Sequence, residues 1–277
     1  VQPQSATWYL GPLGDLRPLV CPESNVKRTV ERFGGVHQAL SGARTMDVTG
    51  HRASWELTLP WLTPSESRFV EALHHRTIAG PFHLIDPLGT NRLPRDAAVL
   101  LPLGDAVRKS SGGILRDGVG PAEVGVPVTA TEWSSYGAGS YIRLPAVPVL
   151  DEETVTFSLW LKAESGSTAA RIALDHIRAG ATEHTSSTTQ GITITTAWSR
   201  YSVTATVPAG TGTTRAALIV DDTAGGTITA AAAQVESGPA PTEWDLGGAA
   251  PHVLVDQVER VSPYYPRNDV SVTLLEA

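Results

Sequence analysis

The stretch TITAAAAQVESGPAPTEW, residues 227–244, decides the fold. Its first half, small and β-branched, reads as a strand. Gln234-Val235-Glu236 then leads into a Gly238-Pro239 turn, and Thr242-Glu243-Trp244 reads as a clasp. A matching strand, WSRYSVTATV at 198–207, is closed by Pro208-Ala209-Gly210. Further strands are expected at 141–144, 155–163, 169–175, 191–195 and 214–220. Several short strands at even spacing, with Gly and Pro between them, indicate a β-sandwich across residues 128–246. In VTFSLWL, residues 155–161, Trp160 has the opposite parity to Phe157, Leu159 and Leu161 and should face the other side of its sheet.

Outside this Thr/Ala-rich tract the style changes to larger apolar residues and more charge. In 53–59, Ala53, Trp55, Leu57 and Leu59 alternate with Ser54, Glu56 and Thr58, the period of a half-buried antiparallel strand. Residues 25–36 read as a strand entering a hairpin turn at Gly34-Gly35. Thr63-Pro64-Ser65-Glu66 supplies an N-cap, a first-turn proline and a capping-box acid. The helix it opens carries Phe69, Val70 and Leu73 on one face and should stop before Gly80-Pro81. Phe82–Ile85 is a short strand, residues 95–127 a connector with some strand. The closing segments 253–261 and 269–275 match the N-terminal style, so they are expected to return to the first sheet. This gives one domain of residues 1–103 together with 251–277, and a second, inserted, of residues 104–250.

The chain has 277 residues, a hydrophobic share of 41% and a net charge of −7. It is long enough for two cores, and its charge argues against a basic nucleic-acid groove. Only Lys27, Lys109 and Lys162 of its 21 basic residues are lysines. The single cysteine, Cys21, cannot form an intrachain disulfide and lacks the setting of a nucleophile. No apolar run approaches the roughly 20 residues that span a bilayer. The N-terminus has no basic-then-apolar leader pattern, so synthesis in a cytoplasm and no membrane insertion are expected.

No catalytic pattern emerges: GxSxG, GxGxxG and phosphate-loop spacings are absent. The acidic clusters Asp151-Glu152-Glu153 and Asp221-Asp222 read as solvated turns, with a calcium site as the alternative. His74-His75 diverge on a helix, and with His83 they read as solvated or packing residues. His176 and His184 appear in a loop-like region and read the same way. No enzyme activity, cofactor or metal is expected. Exposed aromatics could stack on sugar faces; Trp198 and Trp244 read as structural plugs. Trp133, Tyr136 and Tyr141, in the Gly/Ser-rich run EWSSYGAGSY, are the candidate glycan-stacking residues.

The tract AAQVESGPAPTEW resembles the strand-turn-clasp ending of carbohydrate-binding-module-like jelly rolls found on phage tail proteins. Phe33-Gly34-Gly35-Val36, Gly42-Ala43-Arg44-Thr45, Arg52-Ala53-Ser54-Trp55, Leu59-Pro60-Trp61-Leu62-Thr63, residues 80–87 (GPFHLIDP) and 270–276 (VSVTLLE) resemble minor tail proteins of phages infecting actinobacteria. The whole is similar to the distal tail protein family of long-tailed phages. That resemblance implies a mainly β protein: a β-sandwich or barrel ring-forming domain with one α-helix, plus an inserted jelly roll. It implies a virion protein of the tail tip or baseplate, forming a ring, usually six-fold, that joins the tube to the tip. Implied partners are further copies of itself, the tail tube protein, and a tail-tip hub or tape-measure protein, with a host surface glycan for the jelly roll in an adhesion role. In several family members the outer module follows the ring domain, whereas here it is read as an insertion. Candidate intersubunit residues are Trp8, Tyr9 and Leu10, and Val270, Val272 and Leu274.

Overall fold

The computed structural model describes residues 7–19, 26–47, 49–100, 108–110, 114–134, 136–222 and 226–277. Cys21 lies outside them. In chain order the strands and helices are β1 (Tyr9–Pro12), β2 (Arg17–Pro18), β3 (Lys27–Phe33), β4 (Val36–Gln38), β5 (Arg44–Met46), β6 (Gly50–Leu62), α1 (Pro64–His74), β7 (Phe82–Ile85), α2 (Arg95–Ala98), β8 (Arg108–Lys109) and β9 (Ile114–Val119), followed by β10 (Thr129–Ser134), β11 (Tyr141–Pro148), β12 (Thr154–Ala163), β13 (Ser167–Arg178), β14 (Ser186–Thr195), β15 (Ser199–Thr206), β16 (Thr211–Val220), β17 (Thr227–Ser237), β18 (His252–Tyr264) and β19 (Arg267–Glu276). The protein is mainly β.

Two compact units divide these elements: Ile85–Ala250, and Thr7–Leu84 with Pro251–Ala277. Where a boundary near residue 104 was expected, the division falls at Ile85. The reason is packing: Leu93, Ala97, Ala98 and Leu100 belong to the core of the middle unit. Asn91, fully buried, donates to the carbonyls of Ala233 and Asp245 at 2.9 Å and accepts from the Val235 amide at 3.1 Å. The stretch expected to be a connector therefore contains the one-turn helix α2.

The discontinuous unit is a curled sheet in the order β2-β1-β7-β18-β19-β6-β3. Leu274 of β19 stands opposite Trp55 of β6, and Val272 opposite Leu57. The alternation of β6 buries Ala53, Trp55, Leu57 and Leu59. Thr63 caps α1 with the full reciprocal box: its hydroxyl accepts from the Glu66 amide, and the Glu66 carboxylate accepts from the Thr63 amide. Phe69, Val70 and Leu73 then pack against β6, β18 and β19. The turn expected at Gly34-Gly35 is only a break in the ladder. The two chains continue together as β4 and β5, and reverse at residues 39–43, where Gly42 takes a φ of +85°.

The middle unit is two facing five-stranded antiparallel sheets, β15-β12-β17-β10-β9 and β14-β13-β16-β11-β8. Its eight strands from β10 to β17 lie in the orders β10-β17-β12-β15 and β11-β16-β13-β14, the double-Greek-key order of a jelly roll. Phe157, Leu159, Leu161, Ile172, Leu174 and Leu218 fill the space between the sheets. Trp160 faces away from them, in a separate outer cluster with Ala130, Ala231 and Ala232.

The 227–244 tract explains its own composition. Pairing of β12 with β17 slips between Ser158 and Trp160, and Ala232 takes a φ of +52° there, so β17 bulges within its alanine run. The freed Ala233 carbonyl is answered by Asn91 and by the Trp244 indole N–H at 3.2 Å. Glu236, fully buried, accepts from Gln234 at 2.6 Å, and from the Thr242 amide and hydroxyl at 3.0 and 2.5 Å. Buried polar groups without partners cost on the order of 1–3 kcal/mol each, and the Gln-x-Glu and Thr-x-Trp pairs remove that cost.

Candidate functional site: a polar groove on the jelly roll

Alternation on three neighbouring strands builds a groove on the outer face of the β15-β12-β17-β10-β9 sheet. Trp133, Ile228 and Leu161 point into the core, so Glu132, Ser134, Thr227, Thr229 and Lys162 point out. The registers place these residues in two rows. Glu132 of β10 is opposite Thr229 of β17, which is opposite Lys162 of β12. Ser134 is opposite Thr227, whose carbonyl accepts from the Glu164 amide at 2.9 Å. With Ala163 and Thr196 these residues line a groove of about 440 Å³. Gly118 of β9 leaves room for the Glu132 side chain, since a Cβ there would meet the Glu132 Cγ at 3.1 Å. On the other side the Lys162 ammonium lies 5.2 Å from the Trp198 ring centre. Trp160 and Trp198 are both half-buried.

The groove's floor is hydroxyl-bearing, its rims carry carboxylates and an ammonium, and an indole flanks it. Carboxylates accept hydrogen bonds from neutral hydroxyl groups, threonine and serine donate and accept, and an indole offers an apolar face. That set suits a neutral, hydroxyl-rich ligand.

The residues expected to stack on sugar are elsewhere. Trp133 is 0% exposed and Tyr136 3% exposed, their ring centres 5.2 Å apart inside the core. The Tyr136 hydroxyl shares a hydrogen bond of 3.3 Å with Thr168, and burial raises its pKa. Tyr141 belongs to the opposite sheet, half-buried, with the Arg143 guanidinium 4.1 Å over its ring. The three form no common exposed platform. The Gly/Ser-rich run after Trp133 suggested a loop, but the core takes Trp133 from a strand whose other residues are Thr, Ala, Glu and Ser.

The expected intersubunit residues are also core. Trp8, Leu10, Val270, Val272 and Leu274 are buried within their own unit, and Tyr9 is half-buried. β19 is paired on both sides, by β18 and by β6, so it has no free ladder edge. The sheet ends instead at β2 and β3.

Two other readings change. Glu153, expected in a solvated turn, is half-buried with its side chain 9% exposed, held by the Arg92 guanidinium at 2.5 and 2.8 Å, with the Leu150 amide at 3.0 Å. Burial pushes its pKa up, but the Arg92 charge and these bonds outweigh it and hold the carboxyl below its ordinary value. His176 is buried on β13 rather than in a loop, 2.9 Å from the Thr214 hydroxyl. In the discontinuous unit, His83 of β7 is 3% exposed and stacks edge-on to His252 of β18, ring centres 4.1 Å apart. Burial, with the neighbouring His252, lowers the His83 pKa to about 4.

No protein-family model matches the sequence, and no curated protein matches it. Among solved structures, it is similar to the enzymatically active domain of tailspike protein 4 of bacteriophage CBA120, at 12% identity over 54% of this chain and 22% of that one, TM-score 0.46. It is also similar to the CBM22-1 xylan-binding domain of Xyn10C from Paenibacillus barcinonensis, at 11% identity over 49% of this chain and 88% of that one, TM-score 0.39. A CBM4 structure matches at 15% identity over 46% of this chain and 79% of that one, TM-score 0.35. The jelly-roll assignment stands on the strand order above, independently of these likenesses.

Proposed function

We propose that this chain is a non-enzymatic structural protein of a phage tail tip, whose discontinuous unit associates with copies of itself and whose jelly roll is carried as an inserted module. The observation that supports this reading is the unfinished sheet of the discontinuous unit. Its strands from both chain ends close one core, yet β3 leaves a seven-residue strand at the border. Such edges are satisfied by pairing or by cover, and repeated copies around an axis supply both. Electron microscopy of the purified protein, and of tail particles carrying a tag in the 179–184 turn, tests it. The expected result is a closed ring at the end of the tail tube; a label on fibre tips alone contradicts the ring role.

The groove favours a second, compatible reading in which the jelly roll binds a glycan of the host surface. Binding to an array of bacterial surface polysaccharides, lost in Glu132→Ala and Lys162→Ala variants that keep the wild-type circular dichroism, is the expected outcome. Unchanged binding in both variants removes the groove from consideration, and release of reducing ends from a bound polysaccharide contradicts the non-enzymatic role.

A further inference from the structure

One face of the jelly roll treats the same kinds of side chain in two ways. On the outer face of the β15-β12-β17-β10-β9 sheet, polar residues lie toward both ends of the strands. At one end they are answered within the protein. The Thr156 and Thr204 hydroxyls lie 2.8 Å apart, and Thr156 donates to the Gly238 carbonyl at 2.7 Å. The Ser158 hydroxyl accepts from Arg200 at 2.9 Å, and Glu236 is closed off by Thr242. At the other end lie Glu132, Ser134, Lys162, Glu164, Thr227 and Thr229, in the lining of the groove. Among the described residues, none of these six side chains has a hydrogen-bond or ion-pair partner, and Lys162 has only its contact with the Trp198 ring. The boundary between the two ends is aromatic. Trp160 lies between Ser158 and Lys162 on the same face of β12, and Trp198 precedes β15. Both indoles are half-buried and pack on the alanines of the outer cluster.

Thr229 stands out in this arrangement. It is 4% exposed, at the centre of the row between Glu132 and Lys162. Buried hydroxyls are as a rule hydrogen-bonded. Thr131 and Thr156, the other buried threonines among the described residues of this sheet, donate to the Leu100 and Gly238 carbonyls. The Thr229 hydroxyl has no such partner. It is not sealed in the interior as the Trp133 Nε1 atom is, and it opens onto the groove.

We infer that the Thr229 hydroxyl is kept for a ligand: it hydrogen-bonds a ring hydroxyl of an uncharged pyranose chain lying in the groove, and it selects among such sugars, with the Trp160–Trp198 ridge as the apolar wall. This rests on the glycan reading above and assigns the residue that gives it specificity. A threonine hydroxyl both donates and accepts, as a sugar hydroxyl does. A site that answers a ligand hydroxyl with a buried polar group rejects the analogue that lacks it, because the protein group is then left unpaired. Two carboxylates, Glu132 and Glu164, against the Lys162 ammonium give the groove no excess of positive charge with which to hold an acidic polysaccharide.

The experiment uses the full chain with Thr229→Val, which keeps the shape and removes the hydroxyl, and Thr229→Ser, which retains it. Affinity electrophoresis in gels containing dextran, mannan, galactan, xylan or polygalacturonate reads binding, and thermal melts read folding. Wild type is expected to be retarded by at least one neutral polymer and not by polygalacturonate. Thr229→Val should weaken that retention about tenfold or more, and Thr229→Ser should keep most of it. Both variants should melt as wild type does, since no hydrogen bond within the protein is lost. A structural threonine would show the opposite pattern, with the melting temperature lowered whether or not a glycan is present. Thr229→Val retained as strongly as wild type overturns the assignment and leaves the groove to the Glu132 and Lys162 variants. A lowered melting temperature in Thr229→Val overturns it as well. Retention by polygalacturonate alone contradicts the uncharged class. Retention by none of the polymers overturns the glycan reading and the assignment together.

Discussion

β17 of the jelly roll and the β3–β5 ribbon are both long antiparallel segments, and they solve the burial problem in opposite ways. From Ile228 to Glu236 every residue of β17 is buried, and its polar groups from the bulge onward are answered inside the unit: the Val235 amide by Asn91, the Ala233 carbonyl by Trp244 and the Glu236 carboxylate by Thr242. Its residues are small, four consecutive alanines among them. The ribbon carries larger apolar residues, Val30, Phe33, Val36, Leu40 and Met46, and buries none of them. Apolar area removed from water stabilises by roughly 25 cal/mol per Å²; β17 gains this within the chain, and the ribbon can gain it only from another surface. Side-chain size alone therefore misleads about where a core lies, and the available partner decides.

Damage to the internally satisfied region gives the largest expected effects. Truncating Trp133→Ala empties a wholly enclosed site and should cost about 3–5 kcal/mol in the jelly roll's unfolding free energy, read by denaturant titration. The same substitution at an exposed sugar platform would leave stability nearly unchanged, so the variant separates the two placements. Arg92→Ala leaves Glu153 buried without its cation and should also cost about 3–5 kcal/mol.

The pH dependence of the discontinuous unit comes next in size. His83 is depressed from 6.5 to about 4, so the unfolded chain takes up a proton at a pH where the folded chain does not. Stability is fully present above about pH 6.5 and falls as pH drops toward 4, by about 3 kcal/mol across that window. His252 is lowered by burial as well and works in the same direction. Thermal melts of His83→Phe against wild type should show a flatter dependence between these limits; identical slopes contradict the assignment.

The smallest expected change belongs to the ribbon. Leu40→Asp should alter the unfolding free energy of the dissociated chain by less than about 0.5 kcal/mol, since its side chain is fully exposed. A loss of several kcal/mol in monomeric protein would mean that the ribbon is part of a core after all, and the contrast with β17 would collapse.

Part of this was legible in the sequence. The alternation of 53–59, the cap at Thr63 and the reversed parity of Trp160 are local signals, and local geometry obeyed them. The clasp at Thr242–Trp244 was legible after its Gly-Pro turn, but its closure on Gln234 and Glu236 depends on their burial, which no local pattern announces. Trp133 was misread because β10 has no apolar alternation of its own: its burial comes from β17 and the opposite sheet, contacts distant in sequence. The groove escaped notice for a related reason. Glu132, Thr229 and Lys162 become neighbours only through the registers of three strands, and none is unusual alone. Glu153 looked solvated because its partner Arg92 lies 61 positions earlier in the chain. The intersubunit residues were sought at the chain ends, but two-sided pairing consumes the edges of β19, and the terminal strands among the described residues are β2 and β3.

Hydrogen–deuterium exchange of the full-length protein over a concentration series tests the central claim most directly. The account predicts that amides in residues 27–47 slow as concentration rises, while those of β10, β12 and β17 stay unchanged. Exchange in the ribbon that is independent of concentration, with any new protection confined to the jelly roll, would contradict it.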